Sequence, residues 1–164
     1  MNTIIHIPKT HLVIREAVSE ETAVISSLIH RNVIQIHSAH YTKRQIQIWQ
    51  NGYTEETIKT QIEQRPVFVL ECNNVICGTI QLAPQHPEIK GFYLDPDYTD
   101  KGLGNVLFDF LISFLKRANN IWVELTCNQW TAPFYQKQKF KFIRKEIVCW
   151  QNEPFEEWSM RRTF

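Results

Sequence analysis

No two of the four cysteines, Cys72, Cys77, Cys127 and Cys149, stand at CxxC spacing. The first nine residues lack the basic segment and the apolar run of roughly 7–15 residues that a secretion signal needs. No apolar stretch approaches the ~20 residues that span a bilayer. These absences together read as a soluble protein of a reducing cytoplasm with four free thiols, each a small apolar side chain in or near a strand. Charge of one sign is lacking too. A formal charge of +1 gives no broad electrostatic grip on nucleic acid or an anionic membrane, although a local basic patch stays open. No serine sits in a GxSxG elbow and no cysteine is flanked by a plausible histidine, so a nucleophilic triad is not supported.

What is present is enough for one core. The chain has 164 residues, 43% hydrophobic, with ten Phe, five Tyr and five Trp, which suits a single folded domain and excludes disorder. Residues 12–18 read as the opening strand, and Ser19, followed by Glu20 and Glu21, as the N-cap of a helix. Val24, Ile25, Leu28, Ile29 and Ile36 supply that helix with one apolar face. Thr42 and Gln45 have the spacing of a capping box, and Asn51-Gly52 stops the helix they begin. A third helix starts near Thr54 and ends at Arg65-Pro66.

The character then changes. Val67–Cys72 and Val75–Leu82 are β-branched runs joined by Asn73-Asn74, a hairpin with a two-residue turn. A proline-containing loop (83–88) leads to a strand at 90–95. Leu103, Val106, Leu107, Phe110, Leu111, Phe114 and Leu115 recur at helical spacing, and Phe108 and Ile112 widen the stripe, so this helix lies flat on a sheet. Lys116 and Arg117 suit its end, before Asn119-Asn120. A strand (121–127), a short helix (131–137) and two strands (140–150 and 157–163) close the chain. The fold class is α/β, one mixed, mainly antiparallel sheet of six or seven strands flanked by helices.

The most informative stretch runs Gly91-Phe92-Tyr93-Leu94-Asp95-Pro96-Asp97-Tyr98-Thr99-Asp100-Lys101-Gly102-Leu103-Gly104-Asn105. A strand enters a tight loop with two glycines, and a helix starts at once. Glycines let backbone approach a phosphate closely, and the first helical turn offers unpaired N–H groups at the positive end of the dipole. It is not a Walker loop, and the third glycine of a dinucleotide fingerprint would fall at Leu107.

This stretch resembles motif A of the GNAT acetyltransferases, where hydrophobic-Asp-Pro-x-Tyr precedes [Gln/Arg]-x-x-Gly-x-[Gly/Ala]. A second block is similar to that family's strand–Asn–helix segment: 122–128, ending in Asn128, then Ala132-Pro133-Phe134-Tyr135-Gln136-Lys137-Gln138-Lys139-Phe140. The resemblance implies the GNAT fold and acetyl-CoA as co-substrate, wedged between splayed strands at 90–95 and 121–127. It implies that the backbone of Phe92, Tyr93 and Leu94 pairs with the pantetheine arm, one N–H polarising the thioester carbonyl. Thr99, Asp100, Lys101, Gly102, Leu103, Gly104 and Asn105 would hold the pyrophosphate. Asn128 would meet the pantetheine or phosphate region, and Tyr135 would protonate the departing thiolate, with core packing as its alternative.

Glu124 is the candidate base, with a solvated strand residue as its alternative, since one residue of register turns a strand side chain to the other face. The acceptor is a primary amine, of a small molecule or of a protein. Three positions depart from the pattern. Thr99 stands where Gln or Arg is usual, Asp100 puts a negative charge in the cradle, and Lys139 replaces a glycine. They motivate a second reading, a non-catalytic CoA-binding regulatory or interaction module. His37 and His40 are three apart, yet nothing nearby completes a metal site; with Tyr41 and Trp49 they lie in the region beside the family's acceptor groove. The basic run Lys137, Lys139, Lys141, Arg144 and Lys145 reads as a solvated face. A homodimer is common in the family.

Overall fold

The computed structural model describes residues 3–7 and 10–164; the reading of the first nine residues as no leader therefore falls partly outside it. Strand β1 (Thr3–Ile7) pairs antiparallel with β2 (Thr10–Glu16). The hairpin follows as β3 (Val67–Cys72) and β4 (Val75–Leu82), then β5 (Glu88–Leu94), β6 (Trp122–Cys127), β7 (Lys141–Trp150) and β8 (Glu153–Thr163). Their order in the sheet is β1-β2-β3-β4-β5-β6-β8-β7. The seven strands read from the sequence are all present, with β1 as an eighth. Asn73 and Asn74 close the hairpin at φ 51° and 66°, the left-handed pair that a type I′ turn requires.

Alternation along the strands feeds two cores. Val67 and Val69 point to one face, where Ile25 and Ile29 of α1 (Thr22–Asn32) and Ile58 of α3 (Glu55–Gln64) cover them, joined by Ile46 of α2 (Lys43–Asn51). Phe68 and Leu70 point to the other, under α4 (Leu103–Arg117). Leu107, Phe108 and Leu111 are fully buried there, each contributing about 1.5–3 kcal/mol by leaving water. The short α5 (Ala132–Lys137) packs beside α4 through Tyr135.

Three boundaries differ from the expectation. Ser19 does not cap α1: a 3-10 turn at Ser19–Glu21 comes first, and Glu21, bound to Arg15, accepts the Val18 N–H. After α1 the backbone widens into a π turn, Val33–His37. The extra residue per turn rotates the apolar face, so Ile36 is exposed and His37 is buried in its place. The last strand starts at Glu153 rather than Glu157, because Gln151 and Asn152 (φ 50° and 66°) make a second two-residue turn. Lys139 is held at φ 67°, the left-handed conformation that favours the glycine it replaces.

Among the described residues the sheet is parallel at one place only, between β5 and β6, and there pairing lasts two residues, Glu88 with Glu124 and Ile89 with Leu125. Beyond them the strands separate.

Candidate active site

The separation opens a cleft of about 480 Å³, walled by Gly91, Phe92 and Tyr93 of β5, Thr126 and Cys127 of β6, and Tyr135 of α5. One edge of β5 pairs with β4 up to Leu94. Among the described residues its other edge has no strand partner past Ile89, so backbone of residues 90–93 borders the cleft, while the Leu94 carbonyl accepts from Asn32 Nδ2 at 2.7 Å. Backbone polar groups are strong and seek partners.

Past Leu94, Asp95 begins the turn into the loop: its Oδ1 accepts the Asp97 N–H at 2.9 Å while Arg31 binds its Oδ2 at 2.9 Å. Asp100 (φ 58°) and Gly102 (φ 76°) bend the chain so that α4 starts at Leu103. Within the described residues no acceptor engages the N–H groups of Asp100, Lys101, Gly102, Leu103 and Gly104. Free N–H groups at a helix N-terminus can take an anion, which makes this loop a candidate anion cradle. A Cβ on Gly104 would lie 3.3 Å from Phe134. Thr99 turns its hydroxyl back to the Pro96 carbonyl (2.9 Å), Lys101 lies over the Tyr98 ring, and Asn105 accepts from Gln138. The cradle is thus backbone, with few side chains aimed into it.

Tyr135 is brought to the cleft wall, ringed by Phe92, Phe108, Phe134 and Phe140. Burial raises its pKa well above the ordinary phenol value, so its proton stays on at neutral pH. Asn128 is buried, and its Oδ1 accepts the N–H groups of Trp130 and Thr131, fixing the turn before α5. Its Nδ2 faces His37 Nδ1 at 3.5 Å.

Glu124 is placed elsewhere. Its Oε1 accepts from Arg161 Nε at 2.7 Å, and the Trp122 ring stacks under that guanidinium; the cleft lining does not include it. Two carboxylates of β8 do line the cleft: Glu156, engaged by Trp158 Nε1 and Lys145, and Glu157. Trp158 and Met160 turn into the core, so Glu157 faces the other way, half-buried. Burial first, then the neighbouring Glu146 carboxylate, raises its pKa above the usual carboxylate range, against the pull of Lys90. The sequence signal was weak: two adjacent glutamates, with no means of telling which one faces inward before the register of β8 is known.

A family model described as an acetyltransferase (GNAT) domain matches residues 37–150, which takes in the β5 and β6 walls of the cleft, the cradle and Tyr135, but not the β8 residues Phe155, Glu156 and Glu157. The chain belongs to the GNAT acetyltransferase family. Solved structures agree with that membership at the level of fold. A GCN5-related N-acetyltransferase from Rhodopseudomonas palustris superposes with a TM-score of 0.85 at 18% identity, over 92% of this chain and 94% of that one. The PaiA N-acetyltransferase of Thermoplasma acidophilum, in complex with coenzyme A, gives 0.81 at 18% identity over 93% and 99%. YncA of Salmonella typhimurium, with its cofactor acetyl-CoA, gives 0.63 at 16% over 93% of each chain. No curated protein sequence matches.

In this GNAT chain the cleft continues past Tyr93 into an aromatic end. His37 packs on Trp49 with ring centres 4.6 Å apart, and Trp49 meets the edge of Tyr41 at 5.5 Å. Trp49 Nε1 donates to Tyr93 Oη at 2.9 Å. Burial lowers the His37 pKa to about 4, so its imidazole is neutral. His37, Tyr41 and Trp49 border the cleft as the sequence suggested, whereas His40 stacks on Trp130 outside it. No helix among the described residues is long and apolar enough to cross a membrane.

Proposed function

We propose that this chain, acting as one domain, moves the acetyl group of acetyl-CoA directly to the nitrogen of a primary amine, with both substrates bound at once. Acetyl-CoA supplies an acetyl group activated as a thioester. The observation that carries the reading is the open edge of β5 at residues 90–93, a ready partner for the amide-bearing pantetheine arm. Phe92 and Tyr93 line the cleft there and Leu94 follows them, and one of the three N–H groups would donate to the thioester oxygen as charge develops there. The N–H groups of the cradle from Asp100 to Gly104 would take the pyrophosphate. The CoA and acetyl-CoA found with two structural relatives support the same ligand here.

The base role read for Glu124 passes to Glu157. An ammonium has no lone pair, so Glu157, directly or through a water, would take one proton and pass it to solvent. The N–C bond forms as the C–S bond breaks, Tyr135 gives its phenolic proton to the sulfur, and the proton lost from nitrogen restores the phenol. A thiol has an ordinary pKa near ~8.5, below that of a phenol near ~10. Burial raises both acids, so the low-dielectric wall around Tyr135 does not by itself oppose the transfer. Acylation of the protein is disfavoured by the one thiol in the cleft. Burial pushes Cys127 up to about 12, leaving almost no thiolate at neutral pH.

Thiol release by the full chain with acetyl-CoA and a panel of primary amines tests the reading. Tyr135→Phe should lower kcat by about a hundredfold or more while acetyl-CoA still raises the melting temperature. Undiminished turnover in Tyr135→Phe would remove it as the acid. Acetyl-CoA binding without release for any amine would replace the enzyme reading with the CoA-binding module.

A further inference from the structure

The aromatic end of the cleft is bridged. Gln45 Nε2, on α2, donates to the Pro154 carbonyl on β8 at 2.7 Å. Beside this bond the Tyr41 and Phe155 rings meet at 5.9 Å, and Phe155 packs on Trp150 at 4.6 Å. The helical layer and the β7–β8 hairpin are joined here across the groove that would otherwise run between them. On the inner side lies the 480 Å³ cleft, and on the outer side a hollow of about 250 Å³ containing His40, Trp130 and Ile147. Tyr41 and Glu156 border both spaces. They form the partition, and the Gln45–Pro154 bond braces it from the outer side.

We propose that the acceptor is a small free amine with an aromatic or apolar body and no carboxylate, and that the Gln45–Pro154 bridge excludes polypeptide amines. This rests on the transfer reading above and narrows its acceptor. A polypeptide amine arrives with its chain attached, and that chain needs an open groove leading out of the cleft; the bridge stands across it. The walls decide the rest. Tyr41, Trp49, Trp150 and Phe155 offer aromatic faces, which favour an apolar body and attract an ammonium. Among the described residues Lys90 is the one lysine or arginine bordering the cleft, and Glu88 holds its Nζ at 2.8 Å; His37 there is neutral. Two carboxylates, Glu156 and Glu157, border the same end. An amino acid would therefore bring its own carboxylate against two others with no free cation to receive it, a like-charge penalty that discriminates as strongly as any attraction.

The test uses the full chain, saturating acetyl-CoA and three acceptors: phenethylamine, phenylalanine (the same body with a carboxylate) and a hexapeptide with a free N-terminus. Phenethylamine should exceed both others in kcat/KM by a factor of about ten or more. Gln45→Ala, whose melting temperature checks its folding, should raise kcat/KM for the hexapeptide and narrow that gap. Phenylalanine or the hexapeptide used as well as phenethylamine overturns this inference and leaves acetyl transfer standing. A Gln45→Ala variant that folds and gains nothing on the peptide overturns the role of the bridge. No thiol release with any of the three, while acetyl-CoA still raises the melting temperature, overturns the transfer reading and this one with it.

Discussion

Glu157 lies half-buried beside Glu146, and both its burial and that neighbour hold its proton more tightly than in water. As a base it works only once ionised, so kcat/KM should rise with pH through a limb above the usual carboxylate range. Glu157→Gln should remove that limb and lower the rate by about a hundredfold; a pH–rate profile with its acid limb intact would take Glu157 out of the mechanism. His37 makes a separate prediction on stability. Its folded pKa, about 4, lies below the unfolded value near ~6.5, so between those values the unfolded chain binds more protons. Stability should fall as pH drops from about 6.5 towards 4, by on the order of 3 kcal/mol at most, and His37→Gln should flatten denaturant midpoints measured across that range. At this scale the sequence was legible where a motif fixed a residue's place, as for Tyr135 at the cleft wall, and illegible where only strand register did. Glu124 and Glu157 are both strand glutamates near the closing hairpin. Arg161, opposite Glu124 in the β6–β8 ladder, settles which of them is spent on a surface ion pair.

Elements were legible where local chemistry sets them. The capping box of Thr42 and Gln45 is made in both directions, at 3.1 and 2.8 Å, and Asn73-Asn74 turns as its residues allow. The π turn at Val33–His37 was not, because a single inserted residue leaves no periodic trace when the following residues are Ile, Gln and Ile. Gln151-Asn152 was missed for a related reason: Gln carries little turn signal, yet it sits at φ 50°, held by the ladder on either side. The cradle has one position where sequence and conformation agree closely. Gly102 is at φ 76° with open space where a Cβ would go, so Gly102→Ala costs backbone strain alone, about 1–2 kcal/mol. It should lower the free energy of unfolding by that amount, read as a lower denaturant midpoint, and weaken acetyl-CoA binding as the N–H groups of Leu103 and Gly104 move. A variant of unchanged stability whose binding is also unchanged would show that the left-handed turn does not set the cradle.

The whole molecule is joined across the cleft by little of its sheet. The strand content could be read from the sequence, but the order could not: a β7–β8 hairpin pairs equally well with either strand beside β6. Glu157 reaches the cleft because β8, not β7, takes that place. The sheet then consists of β1 to β5 on one side and β6, β8 and β7 on the other, linked by two residue pairs and by the core under α4. A ligand that pairs with β5 and touches β6 would tie the two parts together, and one that binds only the folded state at 100 times its dissociation constant adds about 2.7 kcal/mol. Acetyl-CoA should therefore raise the melting temperature and slow amide exchange in β5 and β6 together. ATP, which offers phosphates and no pantetheine, should do less of the first and none of the second. Equal protection of β5 and β6 by ATP would mean that the cradle alone accounts for binding, and the open edge of β5 would lose its assigned partner.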